Sequence, residues 1–281
     1  MRIGRVVAVL ALGMAGTTVP WGAAQAAVTP LALPTPAHIV VVIEENHSYS
    51  EVIGNSNAPY ITSLANNGAK MTQSYAVTHP SQPNYLALFS GSTQGITDDS
   101  CPHTFSAENL GHQLINSGKT FKGYSEGMPS DGYTGCSSGR YARKHNPWVD
   151  FSNVPSSSNL RFTRFPTDYT TLPKVAFVAP NLCHDMHDCS VSTGDTWLKN
   201  NLGAYATWAK ANNSLLLVTF DEDDHSAGNR IPTLFYGAHV KTGSYSEHIT
   251  HYTVLRTLES LTGLGCVANS CSVSAISDIW N

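Results

Sequence analysis

The sequence predicts an α/β fold in which a mostly parallel central sheet is flanked by helices. Short runs rich in β-branched and apolar residues recur along the chain, and helical patterns separate them. Runs of about four to eight such residues are typical of strands that are buried on both faces of a sheet. Strands that alternate with helices indicate an α/β sheet with mostly parallel order.

The predicted elements follow one another in this alternating order. Strands are predicted at residues 38–43, 68–75, 120–124, 175–179, 215–220 and 233–237, and helices at residues 58–67, 83–90, 110–117, 195–211 and 251–261. Pro59 suits the first turn of its helix, where a missing N–H costs no hydrogen bond. Residues 126–159 are rich in Gly, Ser, Pro and Asn, and we expect this long excursion to form a pocket wall.

The first 26 residues have the pattern of a secretory signal peptide. Arg2 and Arg5 give a basic start, residues 6–14 are apolar, and Ala24-Gln25-Ala26 has the small-x-small pattern of a cleavage site. We therefore expect cleavage near Ala26, secretion of the protein, and a single domain over residues 27–281. The alternative is a disordered or buried N-terminal segment.

Composition narrows the range of partners. Charged residues make up only 13% of the chain and form no basic patch, which argues against binding of nucleic acid. No run after the N-terminal segment approaches the ~20 apolar residues of a membrane span, so no integral membrane segment is predicted. The oligomeric state stays open.

The six cysteines predict disulfides, because an even count in an exported chain is typical of them. Six cysteines allow many pairings. Short loops favour Cys183–Cys189 and Cys266–Cys271, which leaves Cys101–Cys136. A zinc site is disfavoured, since none of the spacings is C-x-x-C and export is oxidising.

Two of the predicted strands end in clusters of acids. Glu44, Glu45 and Asn46 follow the first strand, and Asp221 and Glu222 follow the strand at 215–220. In an open parallel sheet, ligands bind beyond the carboxyl ends of the strands, so both clusters are expected on one rim. Carboxylates brought together repel one another unless a cation holds them. The alternatives are a solvated loop, in which Asn46 caps a helix, and a flexible acidic turn.

A divalent metal ion is therefore predicted at this rim. Oxygen ligands suit Ca²⁺, Mg²⁺ or Mn²⁺, and nearby histidines would admit Zn²⁺ or Fe. A third cluster follows the strand at 175–179 and places His184, Asp185 and His187 in a small cysteine-bounded loop. That loop alone is also compatible with a structural role.

A serine is the predicted nucleophile. Ser81 stands just before a predicted helix N-terminus, which favours anions, and a metal that touched its hydroxyl would lower the hydroxyl pKa. The alternative is a plain N-cap serine. Gly135-Cys136-Ser137-Ser138-Gly139 matches G-x-S-x-G, but no strand precedes it and no helix follows it, so a hydrolase elbow at Ser137 is rejected.

Taken in order, these segments resemble the bacterial phosphoesterase family, which includes acid phosphatases and phospholipases C and belongs to the alkaline phosphatase superfamily. The resemblance covers about residues 38–265. It is carried by residues 44–48 (EENHS), 79–85 (HPSQPNY), 141–147 (YARKHNP), 180–182 (PNL) with Asp185 and His187, 219–222 (TFDE) and 251–259 (HYTVLRTLE).

The resemblance also implies roles for individual residues. The implied metal ligands are Glu45, Asn46, Ser81, Asp221 and Glu222. Ser81 is the implied nucleophile, and Asn84 is implied to bind a phosphoryl oxygen. Asp185, His187 and His251 fall where related enzymes place further metal or phosphate-binding groups, and His145 is implied to line the pocket. One metal or two are both compatible with this set.

The expected function is that of a secreted, metal-dependent phosphomonoesterase that acts on a small phosphorylated substrate through a phosphoseryl intermediate. His187 or His251 is expected to protonate the leaving alkoxide. The shorter chain fits the phosphatase branch of the family. A phospholipase C or phosphodiesterase is the first alternative, and a non-enzymatic secreted metal-binding domain is the second.

Overall fold

A sheet of eight strands forms the centre of the part of the chain that the structure describes, which is residues 1, 3, 4 and 33–281 of this computed structural model. The predicted signal peptide and its cleavage site lie outside these residues, apart from residues 1, 3 and 4. The strands are β1 (His38–Glu44), β2 (Ala69–Tyr75), β3 (Phe121–Ser125), β4 (Ser137–Ser138), β5 (Tyr141–Ala142), β6 (Asn159–Arg161), β7 (Val175–Ala179), β8 (Ser214–Phe220), β9 (Thr233–Gly237) and β10 (Gly243–Thr250).

The order of strands in the large sheet is β10-β2-β9-β8-β1-β7-β3-β6. β9 runs antiparallel to both of its neighbours, and the other neighbouring pairs are parallel. β4 and β5 form a separate two-stranded hairpin. The predicted mostly parallel sheet is therefore confirmed.

Helices cover both faces of the sheet. They are α1 (Tyr49–Val52), α2 (Pro59–Asn67), α3 (Ser81–Ser90), α4 (Leu110–Asn116), α5 (Val191–Ala211) and α6 (His251–Leu261). Because side chains alternate across a strand, Val41 of β1 packs in the core with α3, α4 and α6, whereas Val42 packs in the core with α2 and α5. Burial on both faces explains why β1 and β8 are continuous apolar runs.

Some boundaries differ from the sequence prediction, and the short elements β4, β5, β6 and α1 and the longer strand β10 were not predicted. β10 was not predicted, because it is an edge strand with mostly exposed side chains and no apolar run. α5 begins at Val191, four positions before the predicted start, and Ser190 is its N-cap residue. α3 begins at Ser81 rather than near Pro83, since proline is tolerated in the first turn, where N–H groups lack helical partners.

The cysteines pair as the loop lengths predicted. The disulfides are Cys101–Cys136, Cys183–Cys189 and Cys266–Cys271. Ser137 lies in the β4–β5 hairpin and not between a buried strand and a helix, which agrees with its rejection as a nucleophile. Among the helices of residues 33–281, none has the length and apolar character needed to cross a membrane.

The register of two central strands positions the acidic clusters. β1 and β8 are parallel neighbours, and Glu44 pairs with Phe220 at their carboxyl ends. Asp221, the residue after β8, continues the ladder by donating its N–H to the carbonyl of Glu44 at 3.0 Å. Glu45 and Asp221 therefore leave adjacent strands at the same rim, as predicted.

Candidate active site

Ser81 is the residue at which two strand ends and a helix start meet. Its Oγ lies 3.1 Å from Oε2 of Glu45, which follows β1, and 3.5 Å from Oε1 of Glu222, which follows β8. Ser81 is itself the first residue of α3 and is buried. The structure thus brings a hydroxyl and two carboxylates together from segments far apart in the sequence.

The carboxylates around Ser81 are buried and crowd one another. Burial, followed by the charges of Asp221 and Asp185, raises the pKa of Glu45 well above its ordinary value. Burial and then the charge of Glu222 raise the pKa of Asp221 in the same direction. Burial is also the main cause that raises the pKa of Glu222 to about 7. Such a concentration of buried negative charge is stable only if protons or a cation neutralise it.

The two carboxylate oxygens of Asp221 differ in their surroundings. Oδ1 of Asp221 accepts the backbone N–H of Asn46 at 3.1 Å, whereas its buried Oδ2 has no hydrogen-bond partner among the residues that the structure describes. Asn46 adopts a positive φ of 56°, a conformation that asparagine tolerates better than most residues. An oxygen that is buried without a donor points to a ligand from outside the chain.

His145 forms a second set of donors that shares Glu45. Its Nε2 lies 3.0 Å from Oε1 of Glu45, and its Nδ1 lies 3.2 Å from Oδ2 of Asp185. One donor atom from each of the three buried residues lies within 4.8 Å of the others. Within residues 33–281, neither His145 Nε2 nor Asp185 Oδ2 makes an aligned hydrogen bond. Both atoms are therefore available as metal ligands, although each lies close to a neighbouring side chain. Burial lowers the pKa of His145, which keeps the ring neutral and able to bind a metal.

Asn84 supports the loop that leads into Ser81. Its amide oxygen accepts the N–H groups of Val77 and Thr78 at 3.0 and 3.2 Å. Its amide nitrogen donates to two carbonyls of the same loop and to Oε2 of Glu222 at 3.3 Å. Asn84 therefore lies at the site, and it links the loop to one of the carboxylates.

The two remaining predicted histidines differ in their surroundings. Nε2 of buried His251 donates to the carbonyl of Asp221 at 2.7 Å, and burial lowers its pKa to about 4. His187 lies on the loop closed by Cys183–Cys189 with a side chain that is 31% exposed, and its Nδ1 is 2.8 Å from Oδ1 of Asp188. The His187 ring centroid is 6.0 Å from that of His145, at the edge of the cluster.

Sequence reasoning gave no role to three residues that lie at or next to this cluster. Nδ1 of His79 lies 2.9 Å from Oε2 of Glu222. Lys144 donates from Nζ to Oδ2 of Asp99 at 2.7 Å, and Oδ1 of Asp99 accepts the backbone N–H of Gln82 at 2.9 Å. His79 and Lys144 are close in sequence to Ser81 and His145, inside the segments that carried the resemblance. Their position in those segments was the signal that could have identified them. Asp99 had no such signal.

The mostly parallel sheet, with a serine and carboxylates at its carboxyl rim, has an alkaline-phosphatase-like fold. In agreement, a protein of the alkaline phosphatase superfamily from Vibrio parahaemolyticus superposes with a TM-score of 0.59 at 12% identity, over 88% of this chain and 72% of its own. A lipoteichoic acid synthase from Listeria monocytogenes gives a TM-score of 0.58 at 11% identity, over 83% and 73% of the two chains. At such identities these likenesses concern the fold alone.

Sequence comparison identifies the family. The model of the Phosphoesterase family matches residues 54–265, and this chain belongs to that family. It is 52% identical over 284 residues to a phosphatidylinositol-3-phosphatase from Mycobacterium tuberculosis, covering 99% of this chain and 95% of that protein. It is 31% identical over 241 residues to an acid phosphatase from Aspergillus fumigatus, covering 78% of this chain and 53% of that protein. The chain thus spans about half the length of this fungal relative.

Family membership makes the chain a hydrolase that acts on phosphoester bonds, as predicted. It also sets aside the non-enzymatic alternative. The matched segment begins after Glu45 and Asn46, so the roles of these two residues rest on the geometry at the end of β1 and on the resemblance of their segment.

Proposed function

We propose that this protein is a secreted, metal-dependent phosphomonoesterase in which Ser81 is the nucleophile. The observation that supports it most directly is the position of the Ser81 hydroxyl, within 3.5 Å of carboxylates that follow two neighbouring strands. A structural serine needs no such surroundings, because placing acids around a hydroxyl in a buried space is costly without a cation.

The metal site of this proposal is built from the strand-end oxygens. Glu45, Asn46, Asp221 and Glu222 would hold the ion together with Ser81. His145 and Asp185 offer further donors that share Glu45. A divalent ion bound here supplies positive charge that neutralises the phosphoryl oxygens and lowers the pKa of the Ser81 hydroxyl.

The chain's own residues then perform the transfer. The Ser81 hydroxyl directs its proton at Oε2 of Glu45, which leaves Oγ free to attack phosphorus in line with the leaving oxygen. The new bond joins Oγ to phosphorus, and the bond between phosphorus and the alkoxide breaks. Water then attacks the phosphoseryl group and releases phosphate, which regenerates Ser81.

Of the two candidate proton donors, His187 suits the leaving alkoxide better. The Nε2 proton of His251 is already donated to the carbonyl of Asp221, and its lowered pKa of about 4 keeps the ring neutral. The side chain of His187 is partly exposed, and its Nδ1 lies 2.8 Å from Oδ1 of Asp188. Its Nε2 makes no bond to the main chain like that of His251 within residues 33–281. We therefore assign the general acid to His187 and a supporting role to His251.

The proposed substrates are phosphomonoesters, with the 3-phosphate of a phosphoinositide as the first candidate. This choice rests on the 52% identity to the mycobacterial phosphatidylinositol-3-phosphatase, which extends over nearly the whole of both chains. The N-terminal pattern supports secretion, and three disulfides agree with an oxidising destination.

A release assay tests the proposal. The full chain would be incubated with a simple phosphomonoester, phosphatidylinositol 3-phosphate, a phosphodiester and phosphatidylcholine, before and after removal of metals by a chelator. We expect phosphate from both monoesters, loss of release after chelation, recovery with one divalent ion, and phosphoserine at Ser81 in acid-quenched samples. Activity that survives complete metal removal would contradict the metal requirement.

The same assay separates the first alternative. A phospholipase C or phosphodiesterase would cleave the diester or release a phosphorylated headgroup from phosphatidylcholine faster than it cleaves the monoesters. The curated relatives above are named as phosphatases, which favours the monoesterase.

A further inference from the structure

An ion pair with no role in the proposed reaction lies next to Ser81. Nζ of Lys144 donates to Oδ2 of Asp99 at 2.7 Å, and Oδ1 of Asp99 accepts the backbone N–H of Gln82 at 2.9 Å. Gln82 directly follows Ser81 in the first turn of α3. One carboxylate therefore bridges a lysine and the main chain of the residue next to the proposed nucleophile.

Lys144 is close enough to act electrostatically on the carboxylates of the site. Burial raises the pKa values of Glu45, Asp185 and Glu222, and the positive charge of Lys144 opposes that rise in all three. The negative charge of Asp99 acts in the other direction and helps to raise the pKa of Glu222. At Glu222, therefore, Asp99 and Lys144 act in opposite directions.

The preceding residue, Arg143, also pairs with an aspartate, but in different surroundings. Arg143 pairs with Asp150 in the interior, where the two side chains are 7% and 1% exposed. Lys144 and Asp99 are 20% and 30% exposed, so solutes can reach their pair. Arg143 also donates to the carbonyls of Thr134 and His103, which fixes it in place.

We propose that Lys144 Nζ and the Gln82 N–H form a subsite for two oxygens of a phosphoryl group, and that the two carboxylate oxygens of Asp99 occupy this subsite in the free protein. A carboxylate oxygen and a phosphoryl oxygen accept hydrogen bonds from the same donors with the same sign of charge. The phosphoryl group of a substrate, or inorganic phosphate, displaces Asp99 and takes over both donors. The proposal rests on the proposed role of Ser81, because that role is what places the phosphoryl group beside Gln82.

Binding of inorganic phosphate tests this exchange. Its inhibition constant would be measured for the full chain, and its dissociation constant would be measured by calorimetry on the Ser81→Ala protein, which needs no turnover. Asp99→Ala removes the internal competitor, so phosphate should bind about fivefold more tightly. Lys144→Met removes a donor and a charge, so phosphate should bind about tenfold more weakly.

Two substitutions serve as controls. Asp98→Ala removes an acid next to Asp99 that bonds only to Ser100 among the described residues, and Lys119→Met removes a half-buried lysine that donates to Ser117. Neither should change phosphate binding by more than about twofold. Thermal melts of all the variants would verify that each is folded.

Whether Asp99→Ala strengthens or weakens phosphate binding distinguishes displacement of Asp99 from a positioning role. If Asp99 only positions Lys144, Asp99→Ala weakens phosphate binding as Lys144→Met does, and the proposal is overturned. An unchanged affinity in either variant overturns it as well. If Lys144→Met does not fold, the tighter binding expected of Asp99→Ala still supports the exchange. A wild-type protein that binds phosphate in this pattern but releases none from any ester overturns the proposed function and leaves the subsite standing.

Discussion

Buried carboxylates occur in two kinds of surroundings in this protein. Asp150 accepts hydrogen bonds from Arg143 at 2.9 Å, and Glu259 accepts the Ser270 hydroxyl and the Val267 N–H at about 3.0 Å. At the strand ends, by contrast, Oδ2 of buried Asp221 has no partner within the described part of the chain. The fold supplies hydrogen-bond donors to acids of the first kind, whereas an acid of the second kind keeps an oxygen without a donor in the described part of the chain.

We use this difference to separate structural acids from the acids of the proposed site. Burying an unpaired carboxylate costs stability, and a fold retains such groups when binding or catalysis needs them. Glu44 extends the second group, since neither of its buried carboxylate oxygens finds a donor among residues 33–281, and burial raises its pKa. Removing an acid should therefore have opposite effects on the stability of the metal-free protein at the two kinds of place.

The largest effect is expected on turnover. Ser81→Ala should lower phosphate release by at least ~10⁴-fold, because no other group supplies the covalent intermediate. Its free energy of unfolding should change by only about 1 kcal/mol, the contribution of one hydrogen bond. The control is Ser137→Ala, which removes the serine of the rejected G-x-S-x-G match and should retain full activity. Phosphate release above a hundredth of the wild-type rate in Ser81→Ala would sink the nucleophile assignment.

The largest effect on stability is expected at the structural acids. Arg143→Met leaves Asp150 buried without its cation and should lower the free energy of unfolding by about 3–5 kcal/mol. Arg164→Met is the matched control, because Arg164 is 59% exposed and pairs with Asp131 at the surface. There we expect a change of at most about 1 kcal/mol in denaturant titrations. Equal effects at both arginines would erase the distinction between interior and surface pairs.

Asp221→Asn tests the other side of the comparison. It should weaken metal binding by at least about 100-fold in calorimetric titrations, since it removes a charge from the proposed ligand set. In excess chelator its melting temperature should be higher than that of the wild type, because repulsion with Glu222 is relieved. A lower melting temperature of the chelated variant would place Asp221 with the structural acids.

The sequence predicted the strand cores and the rim, but not the partners that are set by packing. β1, β8 and the acids that follow them are visible because burial on both faces demands continuous apolar runs. β10 escaped prediction because an edge strand needs no such run. Asp99 could not be predicted as part of the site, because only the tertiary structure brings Lys144 and Gln82 to it. The segment of the proposed nucleophile, residues 79–85, can be found in the sequence directly because its residues are contiguous.

The stability of the metal-free protein should depend on pH because of the buried acids at the strand ends. The pKa of Glu222 is raised from 4.5 to about 7, so between these values the folded protein binds more protons than the unfolded chain does. The metal-free protein should therefore be most stable below about pH 4.5 and should lose stability as the pH rises through about 7. Thermal melts in chelator across this range would show a fall of a few degrees, and saturating metal should abolish it. A melting temperature that rises over the same range in chelator would have the wrong sign.

The smallest effect is expected where a structural acid keeps its acceptor. Glu259→Gln retains an oxygen for the Ser270 hydroxyl and the Val267 N–H, and it loses only the charge that faces Arg256 at 3.4 Å. The free energy of unfolding should fall by about 1 kcal/mol or less. Glu259→Ala, which leaves these donors unsatisfied, should cost about 1–3 kcal/mol. If Glu259→Gln instead stabilised the protein as Asp221→Asn is expected to do, burial alone would explain the effects of both substitutions. The stability of Asp221→Asn would then no longer support a ligand at the strand ends.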